Sequence, residues 1–315
     1  MFRSLTIFIL LLISMSAFAQ PAQQAPTVQQ PELPEFLQAE LDVPYAATDS
    51  LRQRLDIYRP KQPATEDPLP VVVIIHGLFQ NPNKGSSRNL ATELVQSGDF
   101  AAIAIGYRMS DEARFPAQIH DCKAAIRWIR ANAKKYNFDG DHIGVIGSSA
   151  GGMLAALLGT SGGVPELEGK LGEHLKVSSR VTCVVDMFGP TDLLTLGGNH
   201  NKANSQESRL IGGPLLDNQD AARQASPLTY ASADDPPFLF IHGTNDPNVP
   251  FAQSEMLRMA LEKAGASATL VSVEGGLHGN FRTPEVGLRF REFFDKHLRN
   301  LDVEVSSEPI VLNRQ

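Results

Sequence analysis

Continuous apolar runs recur along the chain, and the stretches between them carry apolar residues at helical spacing. Residues 71–75 are an unbroken β-branched run, the pattern of a strand buried on both faces. Residues 100–106 are a second continuous apolar run, and residues 142–147, 181–187, 237–242 and 269–273 predict further strands. Between them, residues 116–135 place Ala117, Ile119, Ala124, Ile126, Trp128 and Ile129 on one broad face, which predicts a helix. Residues 150–158, 253–264 and 285–299 predict three more helices. Two earlier runs, 41–45 and 53–58, predict strands that pair as a hairpin.

Strand alternating with helix, and no tandem hairpins after Tyr58, predicts an α/β fold with a mostly parallel sheet covered by helices. Right-handed crossovers then put functional loops at the C-terminal ends of the strands. Residues 193–235 hold several glycines and little periodicity, and predict a small cap. The ends read differently. Arg3, the apolar stretch 5–13 and Ala17-Phe18-Ala19 predict a signal peptide over 1–19, and with it a periplasmic or secreted protein that leaves the membrane after cleavage. Residues 20–39 begin Pro/Gln-rich and predict a linker. The catalytic domain is expected over 40–301, followed by a flexible tail over 302–315.

Composition narrows the function classes. Of 315 residues, 42% are apolar and 20% charged, enough for a large core and too apolar for a disordered chain. The net charge of −7 and the absence of a basic stripe argue against a nucleic-acid partner. The two cysteines, Cys122 and Cys183, cannot build a disulfide framework, and neither belongs to a CxxC pair. They read as two buried thiols, or as a single disulfide if the compartment permits. No HExxH, phosphate loop or dinucleotide fingerprint is present, so neither a metal nor a cofactor is expected. Glu166, Glu168 and Glu173 read as a solvated face, and His120-Asp121 as structural bonding near a helix start.

The chemistry concentrates in three loops. Gly147-Ser148-Ser149-Ala150-Gly151 matches G-x-S-x-G, and it sits where that motif works, after a strand and before a helix. Such a turn holds Ser149 at its tip with the hydroxyl exposed. A serine hydroxyl needs a base. Among eight histidines, His278 follows the last long strand in a glycine-flanked loop and comes last in chain order. The base needs an orienting acid. Asp246 follows the strand 237–242 in a loop fixed by Pro247 and Pro250; Asp192, which also follows a strand, is the rival and otherwise caps the segment after it. For an oxyanion, the N–H of Ala150 and that of Leu78, in His76-Gly77-Leu78-Phe79, are the expected donors, with His76 bracing the loop. Phe79, Ser148 and Phe188 are expected to contact substrate.

Together, "HG" after the strand 71–75, "GYRMSDEARFPAQIHDCKAAIRWIRANAKKYNFDGDHIGVIGSSAGG", "FGPTDLL", "HGTNDPNVP" and "GGLHG" resemble the secreted α/β-hydrolase esterases of the bacterial feruloyl-esterase-like group, related to hormone-sensitive-lipase-like carboxylesterases. The likeness spans roughly residues 45–300. It implies an α/β-hydrolase fold with an eight-stranded sheet, no cofactor, and hydrolysis of carboxylic esters: short-chain, acetyl or hydroxycinnamoyl, some of them on plant polysaccharide. It places the triad on Ser149, Asp246 and His278 and the oxyanion donors on Leu78 and Ala150. This chain departs from members that carry HGGG, with bulkier Leu78 and Phe79, which would narrow the acyl pocket. It also has Met153 where members often carry histidine. Two other readings compete. A serine peptidase of the oligopeptidase type shares the elbow and the HGxxDxxVP segment, but normally carries an N-terminal propeller that residues 20–39 cannot build. A non-catalytic binding protein on the same scaffold would usually lack a triad member.

Overall fold

The structure is a computed structural model and describes residues 33–77, 84–279, 281 and 283–312. The expected signal peptide and most of the expected linker lie outside these residues, as do Leu78 and Phe79. Nine strands form one sheet among the described residues: β1 Leu37–Pro44, β2 Arg54–Pro60, β3 Leu69–Ile75, β4 Ala101–Ile105, β5 Phe138–Ser148, β6 Cys183–Met187, β7 Phe238–Gly243, β8 Ala268–Glu274 and β9 Ile310–Val311. Their order is β1-β2-β4-β3-β5-β6-β7-β8-β9. β1 and β2 form the predicted antiparallel hairpin, β2 lies antiparallel to β4, and every other neighbour is parallel.

The helices are α1 Arg88–Val95, α2 Ala117–Ala131, α3 Ala133–Tyr136, α4 Ala150–Thr160, α5 Pro165–Glu168, α6 Gln206–Ile211, α7 Gln219–Gln224, α8 Ala252–Ala264 and α9 Pro284–Leu298. They bury both faces of the sheet. On one face Ile126 of α2, Leu154 of α4 and Leu257 of α8 pack over Val73, Val145 and Phe240. On the other, Leu94 of α1 and Phe290 and Phe294 of α9 pack over Val72, Ile146 and Val185. This double burial is why residues 71–75 of β3 and the whole of β4 are apolar throughout instead of alternating.

Several expectations change. The linker ends earlier than residue 39, because Leu37 is 1% exposed and opens β1 against Pro60. The tail 302–315 is not wholly loose: Ile310 is buried, and β9 pairs with Val273 and Glu274 of β8, a ninth strand where eight were expected. Glu168 is not part of a solvated face. Lys123 of α2 has a fully buried side chain and binds Glu168 at 2.7 Å, and Ser179 Oγ donates to the same carboxylate at 2.8 Å. Burial pushes the Lys123 ammonium down, and the Glu168 carboxylate opposes that. Asp121 is structural, accepting from Arg108 and from Gln53. Cys122 and Cys183 are both buried and free, so the disulfide alternative does not form. Residues 193–235 make short helical pieces, including α6 and α7, whose Leu193, Leu210, Leu215 and Ala222 are buried in the same core as α2 and α4.

Candidate active site

β5 ends at Ser148 and α4 begins at Ala150, so Ser149 occupies the turn between them. The turn is tight enough to demand glycine on both sides. A Cβ on Gly147 would lie 2.1 Å from the Gly151 carbonyl oxygen, and one on Gly151 would lie 2.2 Å from that of Ile75. Ser149 itself has φ 54° and ψ −122°, a strained conformation for a residue with a side chain. Its N–H is tied to the Met187 carbonyl at 2.9 Å, which fixes the strained residue against β6. Ala150 is the first residue of α4, and its N–H has no partner within the helix.

The β7 and β8 loops are stitched to each other. A Cβ on Gly243 would lie 2.4 Å from the Gly276 carbonyl oxygen, so only glycine allows the approach. Asn245 N–H donates to that same carbonyl at 3.0 Å, and Gly275 N–H donates to Thr244 Oγ1 at 2.9 Å. These contacts deliver Asp246 and His278 to one place. His278 Nδ1 lies 2.7 Å from Asp246 Oδ2, and its Nε2 lies 3.0 Å from Ser149 Oγ. Asp246 Oδ1 also accepts the N–H groups of Asn248 at 2.8 Å and Val249 at 3.0 Å. The Asp246 side chain is fully buried and that of His278 is 20% exposed. Burial pushes the Asp246 carboxyl up, but hydrogen bonds from His242, His278, Val249 and Asn248 outweigh it and hold the group well below the usual carboxylate range. The acid is thus ionised and aimed, the imidazole has one nitrogen held and the other facing a hydroxyl. Such a chain can move a proton off that hydroxyl.

Asp192 does not join it. Its carboxylate accepts the Leu194 N–H at 3.2 Å, the cap that sequence offered as its alternative role. His76 braces the loop after β3, with Nδ1 3.0 Å from the Gly77 carbonyl and its ring stacked on Tyr107 at 4.5 Å. Phe188 has φ 45°, and its ring stands edge-on to His278 at 4.7 Å and to Phe281 at 5.5 Å. It therefore walls the imidazole as well as the space beside it. That space is a cavity of about 280 Å³ that starts one residue from Ser149 and His278. Gly77, Ser148, Phe188, Gly279, Phe281 and Phe290 line it, with Glu93 among its polar groups. Among the described residues, no group of three or more His, Cys, Asp or Glu is placed to hold a metal ion.

Three residues near the site carried no functional signal in the sequence. His242 is the penultimate residue of β7, with Nε2 3.3 Å from Asp246 Oδ2. Ser254 of α8 contacts His242. Asp186 lies inside the apolar run of β6, buried beneath Gly152 and Gly189.

Comparison with known proteins places this geometry. The BD-FAE family model matches residues 55–261. Esterase LipQ of Mycobacterium tuberculosis is 31% identical over 229 residues, which are 72% of this chain and 53% of that protein. The chain spans about half the length of the curated relatives it matches. A truncated carbohydrate esterase from gut microbiota superposes with a TM-score of 0.78 at 36% identity, covering 83% of this chain and 96% of that one. A bifunctional GH43-CE protein of Bacteroides eggerthii superposes with a TM-score of 0.76 at 38% identity, covering 82% of this chain and 35% of that one.

Proposed function

The chain belongs to the BD-FAE family, and from that premise we propose that it is a serine carboxylic ester hydrolase working through an acyl-enzyme. The observation that carries this reading is the hydrogen-bonded chain Ser149–His278–Asp246 at the ends of β5, β8 and β7. Ser149 Oγ attacks the ester carbonyl while His278 Nε2 takes its proton. Asp246 holds the imidazole in the tautomer that leaves Nε2 free, and stabilises the imidazolium as it forms. The N–H of Ala150 donates to the developing oxyanion, and Leu78 N–H is the second donor proposed. His278 then gives the proton to the departing alkoxide. Water repeats the sequence on the acyl-enzyme, and carboxylic acid leaves.

The substrates proposed are short-chain, acetyl or hydroxycinnamoyl esters, including those carried on plant polysaccharide. Support comes from the carbohydrate esterase among the structural neighbours and from a cavity with aromatic walls beside Ser149. Phe188 and Ser148 line that cavity, and with Phe79 they are the proposed substrate contacts. The leader-like residues 1–19 support export to the periplasm or beyond.

The test is steady-state hydrolysis of a p-nitrophenyl ester ladder, acetate through decanoate, beside methyl ferulate and acetylated xylan. Ser149→Ala is the control. Turnover that peaks at short chains and vanishes in the variant is expected, and the ferulate and xylan rates choose the substrate class. A folded protein that hydrolyses none of these esters overturns the reading, and peptide amides are then the next substrates.

A further inference from the structure

One residue before its end, β7 carries a second histidine that the triad does not require. The side chain of His242 is fully buried, and its Nε2 lies 3.0 Å from the Val249 carbonyl oxygen. A carbonyl only accepts, so Nε2 carries the hydrogen. The same Nε2 lies 3.3 Å from Asp246 Oδ2, the oxygen that also receives His278 Nδ1 at 2.7 Å. On the opposite side of the ring, Nδ1 lies 2.8 Å from Ser254 Oγ in the first turn of α8. Phe188 and Phe251 stand edge-on to the ring at 6.4 and 5.6 Å. A continuous series of polar contacts therefore runs Ser149, His278, Asp246, His242, Ser254.

The plain alternative is a loop brace, in which His242 only ties Val249 to β7. A brace would need neither a shared oxygen on Asp246 nor a hydroxyl fixing the far nitrogen. We propose that His242, held in its tautomer by Ser254, is a positioning residue for Asp246: its N–H fixes Oδ2 in line with His278 and tempers the carboxylate's pull on the imidazole.

The sign of the effect follows. Each hydrogen bond donated to a carboxylate favours its ionised form and makes it a weaker proton acceptor. Removing the His242 donor makes Asp246 more basic. The His278 imidazolium is then better stabilised, and the acid limb of kcat/KM moves to higher pH. The groups that face His242 are Asp246 on its own loop, His278 from the β8 loop, the Asp186 carboxyl from β6 and the Ser254 hydroxyl from α8.

The inference rests on the esterase reading, and the two fail differently. Wild-type protein that turns over no ester sinks that reading. The inference is tested on wild type that does, with Ser254→Ala, Ser254→Thr, His242→Leu and His242→Gln. Ser254→Ala is expected to lower kcat about tenfold with KM nearly unchanged and to raise the acid limb by about half a pH unit. Ser254→Thr keeps the hydroxyl and should restore both. Wild-type kcat and acid limb in Ser254→Ala overturn the proposal. A fall in kcat with no movement of the limb does so too, and leaves the brace. Should Ser254→Ala fail to fold, the His242 pair decides. Leucine removes the donor and should move the limb, while glutamine keeps an N–H near the Nε2 position and should not. Equal limbs in the two variants overturn the proposal.

Discussion

Ser149, His278 and Asp246 divide one task, and the least exposed of them makes the sharpest prediction. Asp246 accepts two backbone N–H groups on Oδ1 and the His278 imidazole on Oδ2, and His242 Nε2 lies 3.3 Å from that same Oδ2. Asp246→Asn keeps the shape but puts an amide where a carboxylate accepts. His278 must then turn the wrong nitrogen toward Ser149. Turnover should fall on the order of a thousandfold or more, with an unchanged circular dichroism spectrum. Wild-type turnover in that variant would move the orienting role elsewhere. Single residues also mark the limit of reading a sequence. The three triad positions were legible because each follows a strand and their order along the chain is Ser, Asp, His. His242 was not, because its signal was that of a strand ending beside glycine. Asp186 was not, because it interrupts the apolar run of β6 by one residue, and nothing in the run tells a buried acid from a tolerated one.

At the scale of elements, the sequence displayed the long strands and hid the short ones. β3 was visible as an apolar β-branched run and β6 as an apolar run broken only at Asp186, because burial on both faces leaves no polar alternation. α1 shows in the sequence only through Leu90 and Leu94, one helical turn apart, a pair too short to predict a helix by itself. β9 has two residues, too few for any periodicity, in a short apolar patch within an otherwise polar tail. Its existence is decided by the open edge of β8, where Ile310 pairs with Val273 and is buried in the same core as Phe293. Ile310→Ala should therefore cost about 2 kcal/mol, read as a lower urea midpoint with unchanged slope. A flexible tail would lose nothing on this substitution, and an unmoved midpoint would return residues 302–315 to that description. The elbow sets a second expectation. Gly151→Ala would drive a methyl into the Ile75 carbonyl, so the variant should melt lower and lose ester turnover together. Loss of turnover alone would mean that the elbow had shifted without disturbing β3.

At the scale of the whole molecule, a buried acid, Asp186, works against the protein's own stability. Asp186 is fully buried on β6, where its Oδ1 accepts the Gly189 N–H at 2.9 Å and its Oδ2 has no hydrogen-bond partner. Burial pushes its carboxyl up to about 7 from 3.8, against the Gly189 hydrogen bond and the nearby His242, which favour the charge. A group whose value is raised by folding supports the native state fully below its unfolded value. That support is lost as pH rises through the folded one. Between 3.8 and about 7 the native state therefore surrenders at most about 4 kcal/mol, and above that window the deficit is constant. Asp186→Asn keeps the Gly189 contact and removes the charge. The variant should melt higher than wild type at pH 8, by several degrees, and lose that advantage at pH 4. Melting curves of both proteins at the two pH values decide it, because every other titrating group is common to both and cancels in the difference. An advantage of equal size at both pH values would mean that Asp186 stays uncharged throughout. The acid would then act only through its shape in the narrow space between Gly152 of α4 and Gly189, where its Oδ1 lies within 2.5 Å of the point a Cβ would occupy on either glycine.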